Sequence, residues 1–404
     1  MSRRRAQSKS SRRSGSVVGS VAFAVASAVA VAGLVFGGIG LGMGSAPGGG
    51  SSSSPVSAHS TATPPAAQDS STATPTAPAE PVVPPIALGG ADSVRPTPDL
   101  GAPGAVTVAG AVTTKSLYRT WKPPRGMPSV GTVTATSIPG TASGFVARPA
   151  EIYRPPAALV ANAPALPVVI LLSGQPASPE SVIEVGSVEK TLDVLAAVNH
   201  GLAPIVVVPD QLGQPQDNPM CVDGPLGNAA TYVMTDVVGW IRANLHVADD
   251  RDSWAVGGFS EGGTCSLQFA AAHPDVFGAL VDVSGEEAPS VGTIAATIAR
   301  GFRGSRAAYE AALPTTLLRA HTPYSDEVGL FAVGGTDTHY GPIMQEMSGA
   351  AAASGIQVAR YLSPNSGHNW TTATNGFAAG LGMLYPRFGL AAAGQYLPAA
   401  TQPG

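Results

Sequence analysis

The sequence predicts an α/β domain with a mostly parallel sheet of about eight strands and helices on both faces, preceded by one transmembrane helix and a disordered linker. Short apolar runs alternate with helical patterns over the last three quarters of the chain. Such runs are apolar on both faces, as the strands of a parallel sheet covered by helices must be. In addition, 44% of the 404 residues are hydrophobic and only 12% are charged. This composition excludes a coiled coil and a wholly disordered chain.

The charge distribution argues against nucleic acid as a partner. Residues 1–13 carry six Lys or Arg side chains and no acid, whereas the whole chain has a formal net charge of −4, so the remainder carries −10. Nucleic-acid binding depends largely on basic groups that neutralise phosphates. An acidic body therefore predicts that no nucleic acid is bound.

The N-terminus has the pattern of a membrane anchor. Residues 1–16 are basic, and 17–43 form an uncharged stretch of 27 residues. About 20 apolar residues span a bilayer, while the apolar region of a cleaved signal is about 7–15 residues long. We expect an uncleaved signal anchor at 17–43, with the basic residues cytoplasmic and the rest of the chain extracytoplasmic. Cleavage would instead give a secreted protein.

Residues 44–112 have the composition of a linker. Twelve of the 67 residues from 46 to 112 are proline, and most others are Ala, Ser, Thr, Gly or Val. Such a segment cannot bury enough apolar surface to offset the entropy of ordering it. We expect a disordered tether, partly in polyproline II conformation, between the membrane and the folded domain.

The predicted catalytic domain covers 113–404. Two strand-like runs at 132–138 and 145–153 are separated by Pro139-Gly140, a turn signal that favours antiparallel pairing at one edge. Six buried strands are expected at 167–172, 204–208, 254–258, 279–283, 328–334 and 358–362. Helices are expected near 179–199, 228–245, 261–273, 341–354 and 370–383. Ligands of such sheets bind where the strands end, so the residues after each run are the candidates for chemistry.

The motif Gly258-Phe259-Ser260-Glu261-Gly262 directly follows one of these strands and precedes a helical pattern. A nucleophile on a sharp strand-to-helix turn needs small neighbours, which explains both glycines. The helix N-terminus stabilises negative charge that develops at an attacked carbonyl. Ser260 is therefore the candidate nucleophile.

The candidate base and acid follow later strands. His368 lies in a loop of small residues after the last apolar run, and Asp337 directly follows the preceding run. A carboxylate must hold the histidine in one tautomer and stabilise its cation. The chain order Ser, Asp, His is that of α/β-hydrolases. Asp282, inside the strand after the nucleophile helix, is the alternative acid, and His339 is a candidate for the pocket wall.

Two backbone N–H groups are candidates for an oxyanion hole. One belongs to Glu261, directly after the nucleophile. The other comes from the Ser173-Gly174-Gln175-Pro176 loop after an earlier strand. Because proline has no N–H, Gln175 or Gly174 must supply it.

The remaining signals concern stability and substrate. Cys221 and Cys265 are the only cysteines, and in an exported protein two such residues near the catalytic face predict a disulfide. The aspartates at 210, 217 and 223 fit no EF-hand spacing and favour turns over a metal site. No cofactor is expected. The stretch 286–326 is a candidate cap insertion over the pocket.

These motifs together resemble the putative-esterase family of α/β-hydrolases. The residues that carry the resemblance are 258–263, 335–337 and 367–370, with Asp275-Val276-Phe277, and the match spans roughly 145–385. The family includes enterochelin-type and carbohydrate esterases and the mycobacterial mycolyltransferases. The resemblance implies that Ser260, Asp337 and His368 are nucleophile, acid and base. Mycolyltransferases carry an acidic residue and a nearby Arg around the first oxyanion loop, where this chain has Ser173, so ester hydrolysis is favoured.

The sequence thus predicts an extracytoplasmic serine esterase acting on a small-molecule, lipid or glycolipid ester. One alternative is a cell-envelope acyltransferase, in which a sugar or lipid hydroxyl replaces water, because the same triad serves both reactions. A second alternative is a catalytically silent envelope-binding domain that retains the fold.

Overall fold

An eight-stranded sheet organises the chain in the computed structural model, which describes residues 116–214 and 217–392. The strand order is β1-β2-β4-β3-β7-β8-β9-β10. The strands are β1 (Thr132–Thr136), β2 (Ala150–Arg154), β3 (Val168–Leu172), β4 (Ile205–Val208), β7 (Trp254–Phe259), β8 (Ala279–Val283), β9 (Val328–Gly334) and β10 (Gln357–Ser363). A separate two-residue hairpin consists of β5 (Asp223–Gly224) and β6 (Gly227–Asn228).

The sheet is parallel except at one edge, as the sequence predicts. β1 pairs antiparallel with β2, and β2 antiparallel with β4, while every pair from β4 to β10 is parallel. All residues of β3, β4, β7, β8 and β9 are buried. These are the continuous apolar runs of the sequence, and burial on both faces explains why they do not alternate with polar residues.

Helices cover both faces of the sheet. They are α1 (Leu117–Thr120), α2 (Pro179–Glu184), α3 (Val188–Val198), α4 (Ala229–Thr231), α5 (Val238–Asn244), α6 (Glu261–Ala272), α7 (Ile294–Gly301), α8 (Arg306–Ala311), α9 (Pro314–Ala320), α10 (Tyr340–Ala353) and α11 (Trp370–Arg387). A π-helical segment, Tyr232–Val237, joins α4 to α5. Helix α6 packs on β7 and β8, with α9 and α10 beside it, while α11 packs on the other face together with α3.

Several boundaries differ from the sequence prediction, among them those of one strand and two helices. β2 begins at Ala150 because both the backbone and the guanidinium of Arg148 bind the Asp210 carboxylate instead of a neighbouring strand. The helix expected at 179–199 is broken by Ser187, whose φ is 53°. Helix α11 continues to Arg387 beyond the predicted end, although it contains Pro386.

The predicted membrane segment at 17–43 and the linker at 44–112 lie outside the described residues and stay predictions. Within 116–214 and 217–392, no helix combines the length and the hydropathy that crossing a bilayer requires. The predicted cap insertion contains α7, α8 and α9. Ile298, Phe302 and Tyr309 of this insertion pack on Met220 in a small apolar cluster separate from the main core.

The start of α6 lies against the sheet so closely that only glycine fits. A methyl group on Gly262 would overlap the Leu172 carbonyl oxygen at the end of β3, and one on Gly258 would overlap the Gly262 backbone. By contrast, a methyl group on Gly239 in α5 would meet no atom within 4 Å.

We expect Gly262→Ala to lower the free energy of unfolding by roughly 1–3 kcal/mol, because overpacking must displace backbone. The matched change Gly239→Ala should raise it by about 0.5–1 kcal/mol, since alanine is the better helix former. Urea unfolding monitored by circular dichroism measures both. Equal effects of the two substitutions would show that the contact at Gly262 imposes no constraint.

Candidate active site

Ser260 occupies the turn between β7 and α6, as the motif predicts. Its backbone has φ 59° and ψ −120°, a conformation that is strained for a residue with a side chain. The Ser260 N–H donates to the Val283 carbonyl at 2.8 Å, and the Thr264 N–H donates to the Ser260 carbonyl at 3.0 Å. The turn is therefore held from the neighbouring strand and from its own helix.

His368 lies beside this serine. Its Nε2 is 2.9 Å from the Ser260 hydroxyl oxygen, within hydrogen-bonding distance. The next residue, Asn369, caps α11 by accepting from the Thr371 and Thr372 N–H groups at 3.0 and 3.3 Å. The Thr372 hydroxyl in turn donates to the Gly367 carbonyl at 2.6 Å. The start of α11 thus fixes the loop that carries the candidate base.

Two aromatic rings enclose the imidazole. Phe259 stacks on it with ring centroids 4.8 Å apart and planes 27° apart, and Tyr340 stacks with centroids 4.0 Å apart and planes 16° apart. His368 as a whole is solvent-exposed, yet desolvation of the ring lowers its pKa below the usual value. The negative charge of Asp337 raises that pKa, and the nearby His339 lowers it. The lowered pKa favours the neutral imidazole, which is the form that a general base needs.

Asp337 lies at the end of β9, close enough for its charge to act on His368. Its Oδ1 accepts from the His339 and Tyr340 N–H groups at 3.0 and 2.9 Å. Its Oδ2 is buried and accepts no hydrogen bond from any residue of the described part of the chain. One oxygen thus fixes the carboxylate to the start of α10, and the other makes no hydrogen bond to His368 or to any other described residue. The role of Asp337 as acid stays a prediction.

Backbone hydrogen bonds join the two loops that carry Asp337 and His368. The Ser366 carbonyl accepts from the Thr336 N–H at 2.9 Å and from the Thr336 hydroxyl at 2.8 Å. The Gly335 N–H donates to the Ser363 carbonyl at 2.7 Å. A methyl group on Gly334 would overlap the Ser366 carbonyl oxygen. This close approach explains the paired glycines before Asp337.

Asp282, the alternative acid, has a different environment. Its side chain is buried beneath α6, where a methyl group on Gly263 would come within 2.7 Å of Oδ1. Burial raises its pKa to about 7, and the hydrogen bond from the Gly285 N–H, at 2.9 Å, opposes that rise. Asp282 therefore supports the turn after β8 from below the nucleophile helix, which favours Asp337 as the acid.

The candidate oxyanion donors flank the serine. Glu261 is the first residue of α6, so its N–H lies at the positive end of the helix. A methyl group on Gly174 would come within 3.0 Å of the Ser260 Cβ, which places the loop before Gln175 against the nucleophile. The Ser173 carbonyl accepts from the Gln211 side-chain amide at 2.6 Å, which holds this loop in place. The oxyanion assignments stay predictions.

The predicted disulfide between Cys221 and Cys265 is confirmed, with the two Cα atoms 5.5 Å apart. It ties the 217–228 loop to the nucleophile helix one turn after Ser260. Glu261 is buried nearby, and burial raises the pKa of its carboxyl to about 8, with the Asn218 amide opposing and Glu286 adding to the rise.

Three residues at the site were not singled out from the sequence: Phe259, Tyr340 and Glu286. All three lie where the sequence indicates chemistry, at or just after the carboxyl end of a strand. Phe259 ends β7, Tyr340 comes three residues after Asp337, and Glu286 comes three residues after β8. Their residue types, however, do not indicate a functional role. A phenylalanine or tyrosine near a strand end is usually part of the core, and a glutamate after a strand is usually solvated.

The comparisons with known proteins agree with this geometry. A family model described as putative esterase matches residues 147–376. An uncharacterized protein of Corynebacterium glutamicum is 35% identical over 254 residues, which are 60% of this chain. The chain spans 59% of the length of that relative.

Two solved structures share the fold. A ferulic acid esterase aligns with a TM-score of 0.53 at 17% identity, over 65% of this chain and 100% of that chain. An S-formylglutathione hydrolase from Agrobacterium tumefaciens aligns with a TM-score of 0.52 at 19% identity, over 65% of this chain and 97% of that chain. At such identities the likeness concerns the fold.

We expect Asp337→Asn to lower kcat for ester hydrolysis by roughly 10³- to 10⁴-fold, because an amide stabilises neither the correct tautomer nor the imidazolium. Asp282→Asn retains an oxygen that can accept from Gly285, so most activity should remain. Steady-state kinetics of the two variants, with thermal unfolding as a check on folding, measures the difference. The reverse ranking would make Asp282 the acid.

We also expect the acid limb of the kcat/KM profile to lie below the ordinary histidine pKa of about 6.5. The base works only when neutral, and desolvation between two rings lowers the pH at which His368 becomes protonated. Activity should therefore persist on acidification and fall only below that value. An inflection above pH 7 would contradict the effect of the stacked rings.

Proposed function

This chain belongs to the putative esterase family, and on that premise we propose that it is a serine esterase that hydrolyses a carboxylic ester through an acyl-enzyme on Ser260. The observation that carries the proposal is the 2.9 Å contact between the Ser260 hydroxyl and His368 Nε2, on a turn at the start of a helix. A nucleophile within hydrogen-bonding reach of its base, beside donors for an oxyanion, is the arrangement that acyl transfer requires.

In the first half of the reaction, the Ser260 oxygen attacks the ester carbonyl carbon while His368 Nε2 takes the hydroxyl proton. The carbonyl oxygen becomes an oxyanion, which the Glu261 N–H and an N–H of the Gly174-Gln175 loop stabilise. Asp337 stabilises the imidazolium through its charge. The imidazolium then protonates the leaving alkoxide, and the acyl group stays on Ser260.

In the second half, water replaces the alcohol. His368 removes a proton from that water as its oxygen attacks the acyl-enzyme. The second tetrahedral species then collapses, the imidazolium returns the proton to the Ser260 oxygen, and the acid is released. The same groups act in both halves, since the nucleophile and the leaving group exchange places. Losing one oxyanion donor typically costs about 3–4 kcal/mol of transition-state stabilisation.

The proposal includes an extracytoplasmic location, with the domain held at the membrane by the segment at 17–43, and a small-molecule, lipid or glycolipid ester as substrate. The disulfide between Cys221 and Cys265 supports this location, because disulfides persist mainly in oxidising compartments. The basic residues before the apolar segment support the orientation.

We expect a fluorophosphonate probe to label the wild-type chain and Ser260→Ala to escape labelling. The same variant should lose about three orders of magnitude or more in turnover of p-nitrophenyl esters, because triad members act as a unit. Mass spectrometry of the labelled peptide and initial-rate assays measure the two effects.

Ser354→Ala, which removes a hydroxyl at the far end of α10, is the matched control and should be labelled like the wild type. A wild-type chain that is folded yet neither reacts with the probe nor hydrolyses any ester would overturn the proposal, and would favour a silent binding domain.

A further inference from the structure

The β8–β9 side of the Ser260 site has an acidic side chain without a cationic partner. Glu286 follows the end of β8, and its N–H donates to the Thr264 hydroxyl at 2.8 Å, which fixes its backbone to the nucleophile helix. The four ion pairs of the described residues involve other acids, namely those at 210, 252, 310 and 327. Glu286 is thus an acid held in place at the site but not neutralised by Lys or Arg there.

Tyr340 connects this carboxylate to the reacting groups. Its ring stacks on His368, and its hydroxyl lies 3.5 Å from Glu286 Oε1. Burial raises the pKa of Tyr340, and an interaction of its hydroxyl with the Ser260 side chain opposes that rise. Tyr340 therefore contacts both Glu286 and the imidazole whose Nε2 lies 2.9 Å from the Ser260 hydroxyl oxygen.

The surroundings of Glu286 are acidic. Burial raises its pKa, and the neighbouring Glu287 raises it further, while the Tyr340 hydroxyl and His339 lower it. The charge of Glu286 also raises the pKa of the buried Glu261. A carboxylate removed from water is costly unless a cation or enough hydrogen bonds compensate it. Tyr340 supplies only one long hydrogen bond to this carboxylate. A positively charged group of a ligand would therefore offset more of the free energy that desolvation costs.

We infer that Glu286, supported by Tyr340, is a cation-recognition site beside Ser260, and that the enzyme prefers esters with a protonated amine or quaternary ammonium close to the scissile bond. Esters with an anionic group at that place are disfavoured, because the carboxylate repels them. The inference rests on the proposed esterase function and specifies its substrate class. Glu286 acts in it as a specificity residue, distinct from the groups that transfer protons.

The test compares three butyrate esters on the purified full-length chain. The alcohols are choline, its uncharged isostere 3,3-dimethylbutanol, and 2-hydroxyethanesulfonate. We expect kcat/KM for the choline ester to exceed that for the dimethylbutyl ester at least about fivefold, the ratio that corresponds to the ~1 kcal/mol of two unit charges 4 Å apart in water. The sulfonate ester should be the slowest. The ratios should shrink in high salt, which screens charges.

Glu286→Gln keeps the shape and removes the charge, so the choline-to-dimethylbutyl ratio should fall at least about fivefold from its wild-type value, by the part that the carboxylate charge supplies. The matched control is Glu310→Gln, in α8, whose partner is the exposed Arg306, and it should keep the wild-type ratio. Choline should also inhibit the wild-type chain more strongly than 3,3-dimethylbutanol does. That comparison needs no variant and remains decisive if the Glu286 substitution impairs folding.

A wild-type ratio clearly below fivefold, together with hydrolysis of the dimethylbutyl ester, would overturn the inference and leave the esterase function intact. A strong choline preference that Glu286→Gln does not change would also overturn it. If the chain hydrolysed none of the esters and resisted the fluorophosphonate probe, the proposed function itself would fail, and the inference with it.

Discussion

The close contact between the start of α6 and the ends of β3 and β7 is the constraint on which the site depends. A helix that begins directly after a strand can reach this position only if the residue between them adopts a left-handed φ, as Ser260 does. It also requires glycine where the backbones meet, at Gly258 and Gly262. As a result, the serine lies at the carboxyl edge of the sheet, next to the first N–H groups of α6.

The rest of the site is assembled by loops that hold one another. The loops after β9 and β10 share hydrogen bonds between Thr336 and Ser366, and the capping of α11 by Asn369 fixes the residue before it, His368. The Cys221–Cys265 disulfide ties a further loop to the nucleophile helix. In a catalytic site a misplacement of 1 Å can cost about 100-fold in rate, so this mutual support is part of the chemistry.

Desolvation shifts the pKa values of the titratable groups at the carboxyl edge of the sheet. Desolvation of the His368 ring, which lies between two aromatic rings, lowers its pKa and favours the neutral imidazole that the proposed mechanism needs at the start of each half-reaction. The same desolvation raises the pKa of the Glu261 and Glu286 carboxyls. A cation bound beside Glu286 would favour its ionised carboxylate, and this coupling is what makes selection among charged esters physically reasonable.

The sequence by itself determined the sheet, its antiparallel edge and the nucleophile turn. Buried strands such as β3 and β9 are continuous apolar runs, and the glycines beside Ser260 follow from local steric limits that any chain must obey. The sequence also indicated the candidate acid and base through their order after Ser260, and it indicated the disulfide through its two cysteines. Only the tertiary structure showed that Asp282 lies under α6, whereas Asp337 lies near enough to His368 for its charge to raise the imidazole pKa. Only the tertiary structure, too, brought Phe259, Tyr340 and Glu286 together beside the serine and its histidine. Those contacts join residues far apart in the chain, so they depend on how the loops pack, which no local pattern of residue types records.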